Sequence, residues 1–264
     1  MTPEEEFYLE VVRNVSRMAA DGDLLAAARV MKREIARYNY VYNFRWLGRP
    51  IIQMPPDIVT IQELMWEIKP TKIIECGIAH GGSVTFSASM LALLDMANGE
   101  RNNGATNRKV ISVDIDIRPH NRRAIENHFL AGYIEMLEGS SIKQETVKSV
   151  KAHICQDDVV MVLLDSDHTH NHVFEELRHY APLVTQGSYC IVADGIIENM
   201  PDDFFPNRKW KRGNSPQSAV EEYLKTLDGN VLGADGYPLN FENDKFLEAK
   251  ILFTSAVGGI LKRC

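Results

Sequence analysis

Cysteine is scarce in the sequence, and no long apolar run is present. Four of the 264 residues are cysteines (Cys76, Cys155, Cys190 and Cys264), and no two of them form a CxxC pair. This pattern is typical of reduced thiols, so we predict a cytoplasmic protein without a disulfide framework. No apolar stretch approaches the ~18 residues that a membrane-spanning helix requires, and the first residues are acidic. We therefore expect neither a membrane segment nor a secretion signal.

An excess of basic residues is absent as well. Lysine and arginine number 29 against 36 aspartates and glutamates, which gives a formal net charge of −7 at pH 7. Nucleic acids and anionic membranes repel a negatively charged chain, so neither is expected as a partner. The composition, 45% hydrophobic and 25% charged, is that of an ordinary globular protein. The length suits one large domain with extensions.

A glycine-rich stretch, KIIECGIAHGGSVTFSASML at residues 72–91, reads as a strand, a turn and a helix. The spacing GxxxGG is neither the GxGxxG of dinucleotide sites nor the GxxxxGK[ST] of P-loops. Such turns present backbone amides to polar ligand groups, and Ser83 is placed to cap the helix that follows. Glu75 would repel a pyrophosphate but could accept a hydrogen bond from an ammonium group. We therefore predict a cationic cofactor that carries an amino acid, with a plain tight turn as the alternative.

The rest of the chain predicts an α/β fold. Helices are expected over residues 2–20, after a cap at Asp23, and over 57–68. Strands and helices then alternate, which indicates a Rossmann-like, doubly wound, mostly parallel sheet with an N-terminal helical extension. Residues 1–56 are assigned to N-terminal helices and an aromatic lid segment, and residues 57–264 to the cofactor-binding domain. The predicted strands are 71–76, 110–114, 133–137, 159–164, 188–193 and 249–254, and the predicted helices are 83–97, 119–128, 141–152, 171–181 and 216–227.

Polar residues follow the second and third strands of this sheet. Asp114 ends the second strand, where an acid can accept both hydroxyls of a ribose. It lies 37 residues after Gly77, and the polar loop 98–109 explains the long separation. In the next loop Asp116 and Arg118 are either an ion pair or ligand contacts. The third strand ends in Gly139-Ser140-Ser141, a turn that can border an adenine ring.

Acids and histidines follow the fourth and fifth strands. Asp165 and Asp167 stand beside three histidines in LDSDHTHNH, and Asp194 follows the fifth strand. Carboxylates at neighbouring strand ends suit a hard cation such as Mg²⁺, with Ca²⁺ as the alternative. Two other readings are open: Asp165 as a cap of the helix near Asn171, and the HxHxH run as a zinc site, for which its spacing is poor.

Several of these segments together resemble class I S-adenosylmethionine-dependent methyltransferases. More narrowly, VDIDIRPHNRRAIENH, LDSDHTHNHVFEELRHYAPLVTQGSY and the glycine-rich turn are similar to the cephalosporin hydroxylase-like family, which includes rhamnosyl O-methyltransferases. The resemblance covers roughly residues 40–220. It implies S-adenosylmethionine as the cofactor and a divalent cation, commonly Mg²⁺. The cofactor contacts that it implies are Glu75, Gly77, Gly81, Gly82, Asp114, Ser140 and Ser141. The predicted cofactor-binding set also includes Ala79, His80, Ser83, Asp116 and Asp165.

One departure from the resemblance concerns the metal. Related metal-dependent methyltransferases carry two adjacent metal-binding residues after the fifth strand, whereas Asp194 stands between Ala193 and Gly195. The alternatives are weaker binding of the metal, recruitment of Glu198, and loss of the metal. The candidate ligands are Asp165, Asp167, Asp194 and Glu198.

The predicted reaction is methyl transfer to a hydroxyl of a sugar or glycosylated small metabolite. His168 or His170 is the candidate general base beside Asp165, because an imidazole titrates near neutral pH. The aromatic segments 38–46 and 204–216 are predicted to cover the substrate, and the apolar N-terminal helices predict a homo-oligomer. Two alternatives remain. A nicotinamide-dependent oxidoreductase is disfavoured by the missing GxGxxG, and a non-catalytic cofactor-binding partner in antibiotic hydroxylation or methoxylation stays open.

Overall fold

A seven-stranded sheet forms the centre of the protein in the computed structural model, which describes residues 1–99 and 106–264. Part of the predicted polar loop 98–109, residues 100–105, lies outside the described residues. The spatial order of the strands is β5-β4-β3-β6-β7-β9-β8. Their bounds are β3 Lys72–Cys76, β4 Lys109–Asp114, β5 Ile134–Glu138, β6 Val160–Leu164, β7 Tyr189–Val192, β8 Phe241–Asn243 and β9 Ile260–Arg263.

The first five strands of this sheet are parallel, and β9 runs antiparallel to both β7 and β8. Chain order reverses beside β3, because β4 and β5 lie on one side of it and β6 and β7 on the other. Ligands of open α/β sheets bind at the carboxyl ends of the strands near such a reversal. The predicted Rossmann-like fold is therefore confirmed, and a ligand is expected at the ends of β3, β4, β6 and β7.

Helices cover both faces of the sheet. Their bounds are α1 Pro3–Ala20, α2 Gly22–Ala36, α3 Pro55–Ile68, α4 Gly82–Ala97, α5 Pro119–Glu126, α6 Gln144–Lys151, α7 His170–Tyr180, α8 Pro216–Lys225 and α9 Lys245–Ile251. Ile73 and alternate strand residues pack on α3 and α4, whereas Ile74 and its equivalents pack on α6, α7 and α8. Side chains of a strand alternate between faces, so Glu75 shares the face of Ile73 and points towards α4.

Three local predictions were wrong. Residues 249–254 form no strand, because Asp244 accepts a hydrogen bond from the amide of Leu247 and starts α9 there. The cap of α2 is Asp21 rather than Asp23, since the side chain of Asp21 accepts from the amide of Leu24 at 2.9 Å. Helix α4 begins after Gly81 without a side-chain cap, so Ser83 does not cap it.

The aromatic segment before α3 forms a short hairpin, β1 Phe44–Trp46 and β2 Arg49–Ile51. Trp46 packs edge-on against Phe86 of α4, and its indole nitrogen donates to the hydroxyl of Ser89 at 3.0 Å. This part of the predicted substrate cover therefore packs against α4 beside the glycine-rich turn.

The two N-terminal helices lie against the C-terminal part of the chain, where α1 contacts α9. Phe7 and Tyr8 of α1 remain largely exposed. The homo-oligomer and the domain boundary at residue 56 stay predictions. Within residues 1–99 and 106–264, no helix combines the length and the hydrophobicity that crossing a bilayer requires.

Gly82 provides a test of the contact between the hairpin and α4. A Cβ at this position would collide with the backbone of Pro50 and Ile51. We expect Gly82→Ala to lower the free energy of unfolding by roughly 1–3 kcal/mol, as overpacking does. Gly132→Ala is the control, because no atom lies within 4 Å of the added carbon there. Equal urea midpoints for the two variants would contradict the contact.

Candidate active site

Backbone hydrogen bonds beyond the strand ends bring the predicted site residues together. The amide of Gly77 donates to the carbonyl of Val113, and the amide of Asp165 donates to that of Cys76, both at 2.8 Å. The amide of Ala193, next to Asp194, donates to the carbonyl of Leu164 at 2.9 Å. The glycine-rich turn and the two acid-bearing loops therefore lie side by side, as the sequence predicts.

The glycine-rich turn is held from three sides. One carboxylate oxygen of Asp114 accepts from the amides of Ile78 and Ala79 at 2.8 and 3.2 Å, and the other accepts from the amide of Asp116. The guanidinium of Arg49 donates to the carbonyl of His80, and the side-chain amide of Asn121 donates to that of Ala79. Asp114 thus supports the turn itself, a role that its place at a strand end does not reveal.

The glycines of the turn are required by the protein's own packing. A Cβ on Gly77 would collide with the carbonyl of Asp165, and one on Gly81 would meet the side chain of Ile125. Both residues have a positive φ, 102° and 79°, which other residues rarely adopt. Tight packing therefore accounts for the glycine pattern, and the case for a cofactor depends on the side chains around the turn.

Among these side chains, Glu75 gives the strongest indication of a bound cofactor. It is 2% exposed, the hydroxyl of Ser87 donates to one carboxylate oxygen at 3.1 Å, and the other oxygen has no partner among the described residues. Burial raises the pKa of Glu75 to about 7. An unsatisfied buried carboxylate is costly. Its free oxygen suits a cationic ligand, as the sequence predicts.

Asp165, His168 and Asp194 form a cluster at the ends of β6 and β7. One potential ligand atom from each lies within 4.8 Å of the others, and Nε2 of His168 is 3.3 Å from a carboxylate oxygen of Asp194. Burial, and secondly the charge of Asp194, raise the pKa of Asp165. Asp194 has a left-handed φ of 56°, and a Cβ on Gly195 would collide with the carbonyl of Val257. A second acid therefore has no room there, and His168 is the third member instead.

Three of the predicted site residues lie outside this cluster. Asp167 accepts from the amide and hydroxyl of Thr169 at 2.8 and 2.6 Å. Glu198 accepts from the amide of Gly213 and the hydroxyl of Ser215. His170 contacts α8, with Nδ1 at 2.9 Å from the hydroxyl of Ser218 and Nε2 at 3.1 Å from Glu222. Each of the three side chains is therefore engaged in holding a loop or a helix.

The loops that follow β4 and β5 contain three further predicted site residues. Asp116 is exposed and makes no ion pair with Arg118 within the described residues. Ser140 is partly exposed, whereas Ser141 is 5% exposed and its hydroxyl donates to Glu176 at 2.5 Å. Asp165 does not cap α7, whose N-cap is Thr169.

Sequence reasoning missed two buried acids. Glu176 is fully buried in α7 and also accepts from the hydroxyl of Ser166. The sequence does contain an indication of this burial: Glu176 lies three residues after Val173 and four before Tyr180, which places it on the apolar face of α7. Asp57 in the first turn of α3 accepts from the amide and hydroxyl of Ser255, both at 2.9 Å, and burial raises its pKa to about 6.

Asp57 lies beside the candidate site. It shares a cavity of about 30 Å³ with Gln53 and Asp165, and the second carboxylate oxygen of Asp57 has no partner among the described residues. A volume of this size has room for one ordered water. Two further polar side chains, Asp57 and Gln53, therefore line the same cavity as Asp165.

Comparison with known proteins identifies the family. The family model "Rhamnosyl O-methyltransferase/CmcI" matches residues 38–264. The chain belongs to this family. It is 27% identical over 226 residues to a rhamnosyl O-methyltransferase of Mycobacterium leprae (strain TN), covering 85% of this chain and 86% of the relative. It is also 27% identical over 207 residues to one of Mycobacterium tuberculosis (strain ATCC 25618 / H37Rv), covering 78% and 73%.

A solved structure of CmcI with Mg and SAM supports the fold. It superposes with a TM-score of 0.51 at 18% identity, covering 84% of this chain and 77% of the other. The recognition of the family from the sequence is confirmed, and so is its enzyme class. The protein is an S-adenosylmethionine-dependent O-methyltransferase.

Glu75 generates a prediction on stability and pH. Its pKa rises from about 4.5 in the unfolded chain to about 7 in the cofactor-free folded protein. Between these values only the folded state retains the proton, so stability falls as pH rises through this window. Glu75→Gln removes that loss and should be more stable than the parent at pH 8, by up to about 3 kcal/mol, but not at pH 4.

The measurement is urea unfolding without cofactor at both pH values. The control is Glu145→Gln, which changes an exposed acid on α6 and should follow the parent. A difference between Glu75→Gln and the parent that is the same at pH 4 and pH 8 would refute the assignment.

Proposed function

We propose that the protein transfers the methyl group of S-adenosylmethionine to a hydroxyl of a sugar, with a divalent cation at the site. The observation that carries the proposal is the grouping of Asp165, His168 and Asp194 directly beside the glycine-rich turn. An O-methyltransferase must hold the acceptor oxygen in line with the methyl group and remove one proton. The turn would hold the methyl donor, and the cluster would position the acceptor oxygen and take its proton.

The turn and its neighbours fit the cofactor. The unsatisfied oxygen of Glu75 accepts a hydrogen bond from the ammonium of the methionine part, which compensates for the burial of the carboxylate. Asp114 already accepts three backbone hydrogen bonds. A carboxylate offers about four lone pairs, so one lone pair of Asp114 remains to accept a hydrogen bond from a ribose hydroxyl. A second ribose hydroxyl would need the turn to move and release one of the backbone amides. Ser140 and Asp116 border the expected position of the adenosine.

The cluster fits a divalent cation. Two carboxylates within 4.8 Å of each other repel, and a cation removes the repulsion. Asp165 and Asp194 would hold it, since Mg²⁺ prefers oxygen ligands and keeps several waters. When bound, the cation orients the acceptor hydroxyl and lowers its pKa. The comparisons give no support to Ca²⁺.

His168 is our candidate for the general base. Asp194 lies 3.3 Å from Nε2, so it orients the ring and stabilises the imidazolium that forms. Nδ1 has no hydrogen-bond partner among the described residues and can take the proton of the acceptor hydroxyl. His170 is unsuited to this role, because both of its ring nitrogens contact α8.

A sugar acceptor is supported by the relatives and by one aromatic cluster. The mycobacterial relatives are rhamnosyl O-methyltransferases. In this chain Trp210 stands edge-on to His168, with ring centres 5.7 Å apart, and Phe205 packs against Trp210. Aromatic faces beside a base suit the apolar face of a pyranose ring.

The deciding experiment is methyl transfer by the purified chain alone. We expect calorimetry to detect binding of S-adenosylmethionine, and mass spectrometry to detect a gain of one methyl group on a rhamnoside such as methyl α-L-rhamnoside. His168→Gln should lower kcat by about 10²- to 10⁴-fold while cofactor binding persists. Cofactor binding without transfer to any of a panel of glycosides and nucleotide sugars would favour the non-catalytic partner instead.

The cation gives a separate prediction. Asp194→Asn should weaken the binding of Mn²⁺, used as a paramagnetic probe of the site, by at least about tenfold. Loss of a side chain that merely supports a metal ligand already lowers the metal affinity by about 10- to 100-fold, and loss of a ligand should cost at least as much. Asp167→Asn is the matched control, since its carboxylate lies on the same loop as His168 but faces Thr169. Electron paramagnetic resonance measures both. An equal loss of Mn²⁺ affinity in the two variants would contradict the proposed ligand set.

A further inference from the structure

A short basic loop next to the candidate base is the feature that the proposed function leaves unexplained. Residues 208–212, RKWKR, carry four cations in five positions of a chain whose net charge is −7. No carboxylate lies within 4.0 Å of Arg208, Lys209, Lys211 or Arg212 in the part of the chain that the structure describes. The acids Asp202 and Asp203 are near in sequence but make no ion pair with the loop.

The backbone of the basic loop is fixed, although its charged side chains are exposed. Lys211 and Asn214 exchange two backbone hydrogen bonds of 3.0 and 2.9 Å across a tight turn. The side-chain amide of Asn214 donates to the carbonyl of Lys209, and Glu198 accepts from the amide of Gly213. An ordinary solvated run of lysines does not need this support. A ligand site does, because fixing the backbone in advance lowers the entropy lost on binding.

The position of the loop connects it with the methyl-transfer site. Trp210 stands edge-on to His168, and the guanidinium of Arg208 lies over the indole of Trp210, 5.6 Å from its centre. One imidazole and one indole therefore separate the cation of Arg208 from the carboxylate of Asp194. A sugar whose hydroxyl reaches His168 would place a substituent of the same sugar near Arg208.

We propose that the acceptor sugar carries a diphosphate, as in a nucleoside diphosphate sugar, and that Arg208, Lys209 and Lys211 bind this group. The inference rests on the proposed function, since it assigns the anionic part of the same acceptor. Several neighbouring cations suit the two charges of a diphosphate diester, and a guanidinium suits phosphate oxygens. Arg212 contributes less, because it donates to the backbone carbonyls of Glu198 and Met200.

The test uses calorimetry on the full chain saturated with S-adenosylhomocysteine. The probes are inorganic pyrophosphate, UDP, orthophosphate and uridine. We expect binding of pyrophosphate and UDP that weakens as salt is raised, weaker binding of orthophosphate, and no binding of uridine. The triple variant Arg208→Gln, Lys209→Gln, Lys211→Gln should bind pyrophosphate at least tenfold more weakly.

A matched triple variant removes the same charge elsewhere: Arg13→Gln, Arg29→Gln and Lys148→Gln, all exposed and on α1, α2 and α6. It should bind pyrophosphate as the parent does. Equal weakening in both variants, or equal affinity for orthophosphate and pyrophosphate, would overturn the diphosphate assignment. So would the absence of pyrophosphate binding while S-adenosylhomocysteine still binds. Failure of the parent to bind S-adenosylhomocysteine would instead contradict the proposed function.

Discussion

The close approach of Gly77 to the backbone of Asp165 is the constraint on which the candidate site depends. No side chain fits between these residues, because a Cβ on Gly77 would occupy the position of the carbonyl oxygen of Asp165. The end of β3 and the end of β6 are consequently in direct contact, and the amide of Asp165 is hydrogen-bonded to Cys76. The turn that would hold the methyl donor and the acid that would position the acceptor are thus neighbours without any hinge between them.

This arrangement concentrates acids where few counter-charges exist. Glu75 and Asp57 are buried and Asp165 is partly buried, the pKa values of all three carboxyl groups are raised, and Glu75 and Asp57 each keep an oxygen without a partner among the described residues. Buried acids of this kind lower the stability of the empty protein at neutral pH. A cationic cofactor and a divalent cation would restore it. The same charges that lower the stability of the empty protein would therefore provide affinity for cationic ligands, a compromise between stability and function.

The sequence predicted the sheet and the strand ends well, because buried parallel strands are continuous apolar runs and acids interrupt them at fixed places. It predicted poorly wherever a side chain's partner lies far away in sequence. The sequence left open that Glu198 is recruited as a ligand beside Asp194, but only the fold shows that the carboxylate of Glu198 accepts from Gly213 and Ser215. His168 and His170 are two residues apart and face different elements, since α7 begins at His170 and His168 lies in the loop before it. The C-terminal strand was misplaced because the run ILF at 251–253 has strand propensity, whereas the cap at Asp244 started a helix.

One short helix connects the cluster around Asp194 with the basic loop at residues 208–212. The short helix Gly195–Asn199 directly follows Asp194 and contains Glu198. At its start Asp194 contacts His168, and near its end Glu198 holds the turn after the basic loop. Because Gly195 packs against Val257 with no room for a side chain, this helix is held against the segment that precedes β9. The helix would therefore transmit a displacement of the basic loop to Asp194. If the acceptor binds as proposed, the helix Gly195–Asn199 would connect the binding of its remote end with the positioning of its reactive hydroxyl. Binding energy away from the reacting atoms would then contribute to catalysis.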